Sequence, residues 1–235
     1  MDQGLDATRE GLLDAMLMHV PFDGWSDGAL KAAARDLGLS QDELHAICPR
    51  GAIDLAVAYH KRGDSALAQA LAQADLGAMR IRDRVAFAVR SRLEASDDKE
   101  AVRRGTALFA LPQHAPEGAR LIWSTADTIW DALGDTSDDF NWYSKRAILS
   151  GVYSSTVLFW LGDDSVWEQA TWAFLDRRIE DVMRFEKVKA QVKDNKVLNG
   201  LFAGPNWLLS RIKPPSREMR TDLPGRYSGQ YSDRT

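Results

Sequence analysis

Apolar residues recur along this chain at the three- and four-residue intervals of a helix face, while alternating β-branched runs bounded by hairpin turns are hard to find. The pattern predicts an all-α protein of about ten helices, over residues 5–19, 27–37, 41–47, 50–73, 78–95, 99–111, 117–133, 140–161, 165–193 and 197–212. Glycine and proline mark the joints at Pro21 with Gly24, Gly38, Pro49, Gly63, Pro112 with Pro116, and Gly134. No internal repeat is visible. After Lys213 the stretch PPSREMRTDLPGRYSGQYSDRT is polar and rich in Pro, Gly and Ser, the composition of a disordered tail over 214–235. The expected organisation is one helical domain over 1–213, made of a helix-turn-helix-like part at 5–75, a central part at 76–193 and a last helix at 194–213.

The most informative segment is GDTSDDFNWYSKRAILSGVYSSTVLFWL, residues 134–161. Asp135, Thr136, Ser137, Asp138 and Asp139 offer N-cap oxygens, and carboxylates suit the positive end of a helix dipole, so a helix is expected to start near Phe140. From Ala147 to Gly162 no residue is charged. A surface helix needs a polar face, so this one is expected to be enclosed by other helices, and it is too short to span a bilayer. Two readings stay open from the pattern. The helix is plain core packed against the segments around Trp123, Trp130 and Trp172, or it walls an apolar cavity in which its hydroxyls orient a polar head group.

Near the amino end, residues 29–47 have the layout of a helix-turn-helix, with a turn at Gly38-Leu39-Ser40 and a second helix capped by Ser40. DNA readers place basic or amide side chains at the start of that second helix. Here it begins Gln41-Asp42-Glu43, and two carboxylates would face phosphates. With a formal net charge of −4, the balance favours a repurposed element and no nucleic-acid partner.

The other composition figures are ordinary: 235 residues, 45% hydrophobic and 27% charged, enough to bury a sizeable core. The single cysteine, Cys48, forms no internal disulfide and suits a reducing compartment. The amino terminus, MDQGLDATRE, has neither an apolar signal core nor the character of a transit peptide. No dinucleotide fingerprint, Walker A loop, nucleophile elbow or H-E-x-x-H motif is present. The four histidines are scattered, and Asp42 with His45 is a single degenerate pair where a di-iron bundle needs several ligand units. No metal, cofactor or catalytic residue is expected.

The string DFNWY followed by a basic pair, continuing through LGD to WAFLDRRIEDVMRFEK, resembles the signature of the coenzyme Q (ubiquinone) biosynthesis accessory family of the ninth Coq protein, whose bacterial relatives are called RpsU-divergently transcribed proteins. The resemblance runs from about Leu5 to Arg211. It implies a non-enzymatic, all-helical protein with a tetracycline-repressor-like fold and a vestigial helix-turn-helix. It also implies that the protein binds an isoprenoid or quinone-like lipid and assists the di-iron demethoxyubiquinone hydroxylase. The location implied is the cytoplasmic face of a bacterial inner membrane, or the matrix face in a mitochondrion.

Three sites follow. For the charge-free helix the resemblance shifts the balance to the ligand wall, with Trp123, Tyr153, Phe159 and Trp172 as candidate lipid-binding residues. Asp139, Asn141, Trp142 and Tyr143 read from composition either as core or as an interface, since Trp and Tyr beside carboxylates suit a binding hot spot. The resemblance implies that they form, with Asp127 of the ADTIW segment, the hydroxylase-binding patch. Near the carboxy end Leu198, Leu201, Phe202, Trp207 and Leu208, flanked by Lys193, Lys196 and Arg211, describe either an interfacial helix or a last helix docked on the body. The resemblance favours membrane contact, against which Gly204-Pro205 would kink or split the helix. Homodimer formation stays open, and a ligand-responsive helix-turn-helix transcription regulator is the alternative function.

Overall fold

A computed structural model describes residues 2–96 and 98–194. Among them there are ten α-helices and no strand. These are α1 (Asp2–Leu17), α2 (Val20–Asp23), α3 (Asp27–Asp36), α4 (Gln41–Ile47), α5 (Ala52–Gln73), α6 (Ile81–Glu94), α7 (Lys99–Phe109), α8 (Ala115–Ala132), α9 (Phe140–Leu161) and α10 (Gln169–Asp194). The all-α expectation is met, and most boundaries agree to within a few residues. The expected helix at 197–212, its membrane-binding residues Leu198, Leu201, Phe202, Trp207 and Leu208, and the tail at 214–235 lie outside the described residues.

Local chemistry explains where elements begin. Ser26 caps α3 by accepting from the Ala29 amide at 3.1 Å. Ser40 and Glu43 form a reciprocal capping box at α4, and the Ser40 hydroxyl and backbone amide hold the Glu43 carboxyl below the usual range. Asp139 caps α9, as its position in the sequence suggested. Pro21 and Pro116 lie inside α2 and α8, where the pattern put joints, because a first-turn position needs no N–H from proline. The helix expected from residue 165 is preceded by a 3-10 turn, Val166–Glu168, whose Trp167 and Glu168 have φ of 56° and 50°.

Two apolar cores organise the chain. The first gathers Leu12, Leu13 and Met16 of α1, Ala29, Leu30 and Ala33 of α3, Leu44 and Ile47 of α4, and Leu55 of α5. Cys48 is buried there, and that burial, with Asp54 nearby, pushes its thiol up to about 11. The second gathers Leu67 and Leu71 of α5 with Val89, Ile129, Leu149, Trp160, Leu175 and Ile179 of α6, α8, α9 and α10. Helix α5, 22 residues and roughly 33 Å long, passes through both. Trp25 donates to the Ala101 carbonyl at 3.0 Å and ties α7 to the first core.

Two expectations resolve differently. Gly63 is not a joint but sits mid-α5, where a Cβ would stand 2.4 Å from the Arg92 guanidinium. Helix α9 is not enclosed all round, since Ala147, Gly151, Leu158 and Phe159 are exposed while Leu149, Val152, Tyr153, Thr156 and Trp160 face the core. No helix among the described residues is long and apolar enough to cross a membrane.

Glycine-to-alanine substitution inside a helix ordinarily stabilises by about 1 kcal/mol. Gly11→Ala in α1, where a new Cβ meets nothing within 4 Å, is expected to raise stability by that order. Gly118→Ala in α8 is expected to lower it by about 1–3 kcal/mol, because its Cβ would fall 2.8 Å from Phe109 Cβ. Urea denaturation of the two variants beside the parent checks the opposite signs.

Candidate functional site

A cavity of about 450 Å³ opens at the seam between the two cores. Trp25 and Ala56 reach it from the first core, Leu93 and Tyr153 from the second, and Val102, Gly105, Phe109, Leu121 and Ile122 close its sides. Many of its walls are small residues, which is why the helices meet here without filling the space. Leu158, 61% exposed, also lines it.

One part of the wall is polar. His60 and Arg92 line the cavity, and Asp64 stands behind them. Arg92 Nε donates to Asp64 Oδ1 at 2.8 Å and Nη2 to the His60 carbonyl at 3.0 Å. The Thr125 hydroxyl donates to the same Asp64 oxygen at 2.8 Å, and His60 Nε2 lies 2.9 Å from that hydroxyl. Burial pushes the His60 imidazole down to about 4, with Asp64 opposing and Arg92 adding to the shift, so the ring is neutral near pH 7. Tyr153, fully enclosed beside this group, has its phenol raised by burial.

Of the four residues suggested for the ligand wall, Tyr153 lines this cavity. Trp123 instead packs beside Trp142 and Tyr143, with ring centroids 6.0 and 6.4 Å apart. Phe159 stacks on Phe174 at 4.5 Å. Trp172 lies under the Arg90 guanidinium and donates to the Trp167 carbonyl at 2.9 Å. Three of the α9 hydroxyls are already engaged with the backbone, since Ser154, Ser155 and Thr156 donate to carbonyls of their own helix. His60, Asp64 and Arg92 supply the polar end instead, and sequence reasoning passed over them. The one available signal was His60 and Asp64 at i, i+4 in an otherwise aliphatic stretch.

The second site is built on Arg146, whose side chain is completely buried. Three carboxylates surround it: Asp127, Asp131 at 3.1 Å and Asp135 at 3.0 Å. Its guanidinium also donates to the Trp142 carbonyl at 3.3 Å and lies 3.9 Å from the Trp142 ring centre. Trp142 meets Tyr143 edge-on at 4.8 Å. Four of the five residues suggested for the partner patch thus gather around two helices: Asp127 from α8, and Asn141, Trp142 and Tyr143 from α9. Asp139 adjoins them as the cap, accepting from the Asn141 backbone amide at 2.8 Å and side-chain amide at 2.9 Å. Asn141 is exposed, while Trp142 and Tyr143 are half-buried.

Asp135 is the hidden member of this group, its side chain 2% exposed. Burial alone would raise its pKa, but hydrogen bonds from Lys145, Ser137 and Arg146 outweigh it and lower the carboxyl to about 2 from 3.8. A depressed carboxyl stabilises the fold fully above about pH 4, and the contribution is lost as pH falls through 2. Asp135→Asn is expected to be less stable than the parent at pH 7 and to lose less further stability between about pH 4 and 2. Urea melts across that range check the convergence.

Among the described residues no group of three or more His, Cys, Asp or Glu could hold a metal ion. The COQ9 family model matches residues 115–186, which contain both α8 and α9. The mitochondrial ubiquinone biosynthesis protein COQ9 of Drosophila melanogaster is 32% identical over 194 residues, covering 80% of this chain and 59% of that protein. Its counterpart in Rattus norvegicus is 33% identical, covering 77% and 61%, and that of Homo sapiens 32%, covering 77% and 59%. The chain therefore spans about three fifths of the length of these relatives. Among solved structures, a TetR transcriptional regulator from Nitrosomonas europaea aligns with a TM-score of 0.61 at 18% identity, over 74% of this chain and 97% of that one. The tetracycline-repressor-like architecture is thus present, and the sequence similarity is to the COQ9 family.

Proposed function

We propose that this chain is a non-catalytic accessory protein of ubiquinone biosynthesis that holds an isoprenoid quinone precursor and presents it to the di-iron demethoxyubiquinone hydroxylase. The observation that carries this reading is the cavity itself, about 450 Å³ in volume, apolar on most sides and polar at one. That composition suits a greasy chain with a small head. Burial of the chain would supply the affinity, at about 25 cal/mol per Å² of apolar surface. The ubiquinone biosynthesis names of the COQ9 relatives support the pathway. The hydroxylase would dock on the Trp142–Tyr143 surface, and the segment carrying Leu201 and Trp207 would rest on the membrane. The TetR likeness extends to the fold alone, and α4 opens with Asp42 and Glu43, both exposed, which disfavours the regulator alternative.

The lipid reading is tested by solvent extraction of the purified chain followed by mass spectrometry. Near-stoichiometric isoprenoid or quinone-like species are expected from the parent and a severalfold smaller yield from Thr106→Trp, which places a large ring on the cavity wall. An empty parent protein would remove it.

For the partner surface Trp142 is a poor probe, because a lysine there would stand against the buried Arg146 guanidinium. Asn141→Lys changes an exposed side chain instead, and is expected to weaken hydroxylase capture at least about tenfold with an unchanged melt. Leu201→Glu with Trp207→Glu is expected to abolish sedimentation with anionic liposomes while leaving that capture intact.

A further inference from the structure

An arginine on the wall of a lipid cavity ordinarily suggests a receptor for a carboxylate or phosphate head. Here the geometry argues the reverse. Arg92, 6% exposed in its side chain, already has its Nε on Asp64, its Nη2 on the His60 carbonyl at 3.0 Å, and its Nη1 3.4 Å from the Ser96 hydroxyl. Asp64 is as deeply set as its partner, and its Oδ1 is shared with the Thr125 hydroxyl. Of the titratable neighbours, His60 and Tyr153 add no charge near pH 7, and Tyr59 is a further phenol on the wall. The polar end of the cavity therefore holds one positive and one negative charge, both committed to each other.

We propose that Asp64 is a specificity-determining residue: by neutralising Arg92 from behind the wall, it makes the cavity select a long-chain ligand with an uncharged, oxygen-bearing head and reject fatty acids and cationic amphiphiles. This rests on the reading that the cavity holds lipid. A carboxylate entering beside the pair would be desolvated against a guanidinium whose charge Asp64 already balances, and an ammonium would have to compete with Arg92 for the Asp64 carboxylate. A neutral carbonyl or hydroxyl loses less on entry than an ion does and can accept from the guanidinium N–H groups of Arg92 that its own partners leave over. Rejection is built into the site as a missing counter-charge, so selectivity needs no steric gate.

A matched series of twelve-carbon probes tests this with the full chain at pH 7.5: dodecan-1-ol, dodecanoate and dodecylammonium, each displacing the neutral fluorescent probe N-phenyl-1-naphthylamine. Dodecan-1-ol is expected to bind at least about tenfold more tightly than either ion. Dodecanoate binding as well as the alcohol would show Arg92 acting as an anion receptor and overturn the inference, leaving the lipid reading intact. Displacement by none of the three would overturn the lipid reading itself and this inference with it. In Asp64→Asn, which keeps the side-chain shape and releases one positive charge, the alcohol-to-dodecanoate ratio is expected to fall at least about tenfold while dodecylammonium stays excluded. Asp64→Glu is expected to keep the parental ratio. An unchanged ratio in a folded Asp64→Asn protein would refute the role given to Asp64. Should that variant not fold, the three-probe comparison on the parent still decides, because an anion receptor favours dodecanoate over dodecylammonium and a neutral end does not.

Discussion

The ion pair between Arg92 and Asp64 is buried where two apolar cores meet, and much of the surrounding structure is arranged to satisfy it. Asp64 lies in the middle of α5, Arg92 in the last turn of α6, and Thr125, which donates to the same carboxylate oxygen, in α8. One hydrogen-bonded cluster thus pins three helices. Removing one charge alone would leave the other uncompensated in a dry interior, at a cost of about 3–5 kcal/mol. Gly63 follows from this arrangement, because any side chain there would occupy the volume of the guanidinium. The pair also forms the polar end of the cavity, at a seam whose other walls include many small residues.

Arg146 repeats the device at the other end of the α8–α9 contact with a different charge balance. One guanidinium faces three carboxylates, and two of them, Asp127 and Asp131, remain 39% and 42% exposed. Arg92 is neutralised by one partner and hidden, whereas Arg146 is over-neutralised and leaves acidic edges at the surface beside Trp142 and Tyr143. The aromatic rings there are consequently not free decorations. Trp142 is held over the guanidinium it helps to bury, so its orientation is set by the same contact that joins α8 to α9.

The helical architecture was legible because periodicity and capping chemistry agree along most of the chain. Ser26, Ser40 and Asp139 each sit where their side chains cap a helix. The DFNWY surface was legible for a different reason, since its residues are contiguous and α9 delivers them together. The polar end of the cavity was not. His60, Arg92 and Thr125 come from three helices, and nothing in the spacing of α5, α6 and α8 says that these positions converge. The partial exposure of α9 has a separate origin. Absence of charge does not require burial on all sides, because small and aliphatic residues at 147, 151 and 158 tolerate exposure more readily than burial tolerates charge.

Helices α8 and α9 carry both sites. Along α8 the cavity wall at Ile122 and the salt bridge at Asp127 are five residues apart, roughly 7.5 Å, and along α9 Arg146 and Tyr153 are seven apart, roughly 10.5 Å. Filling the cavity can move the surface patch only by sliding one helix against the other, and that motion would break a buried guanidinium away from carboxylates on the opposing helix and its following loop. The cost of such a break is of the same order as the stability of a whole domain. On the carrier reading the docking surface is therefore preformed, and the protein engages its partner with equal geometry whether the cavity is full or empty. Delivery would then be governed by how readily the ligand leaves through the side at the exposed Leu158, rather than by a change in the docking face.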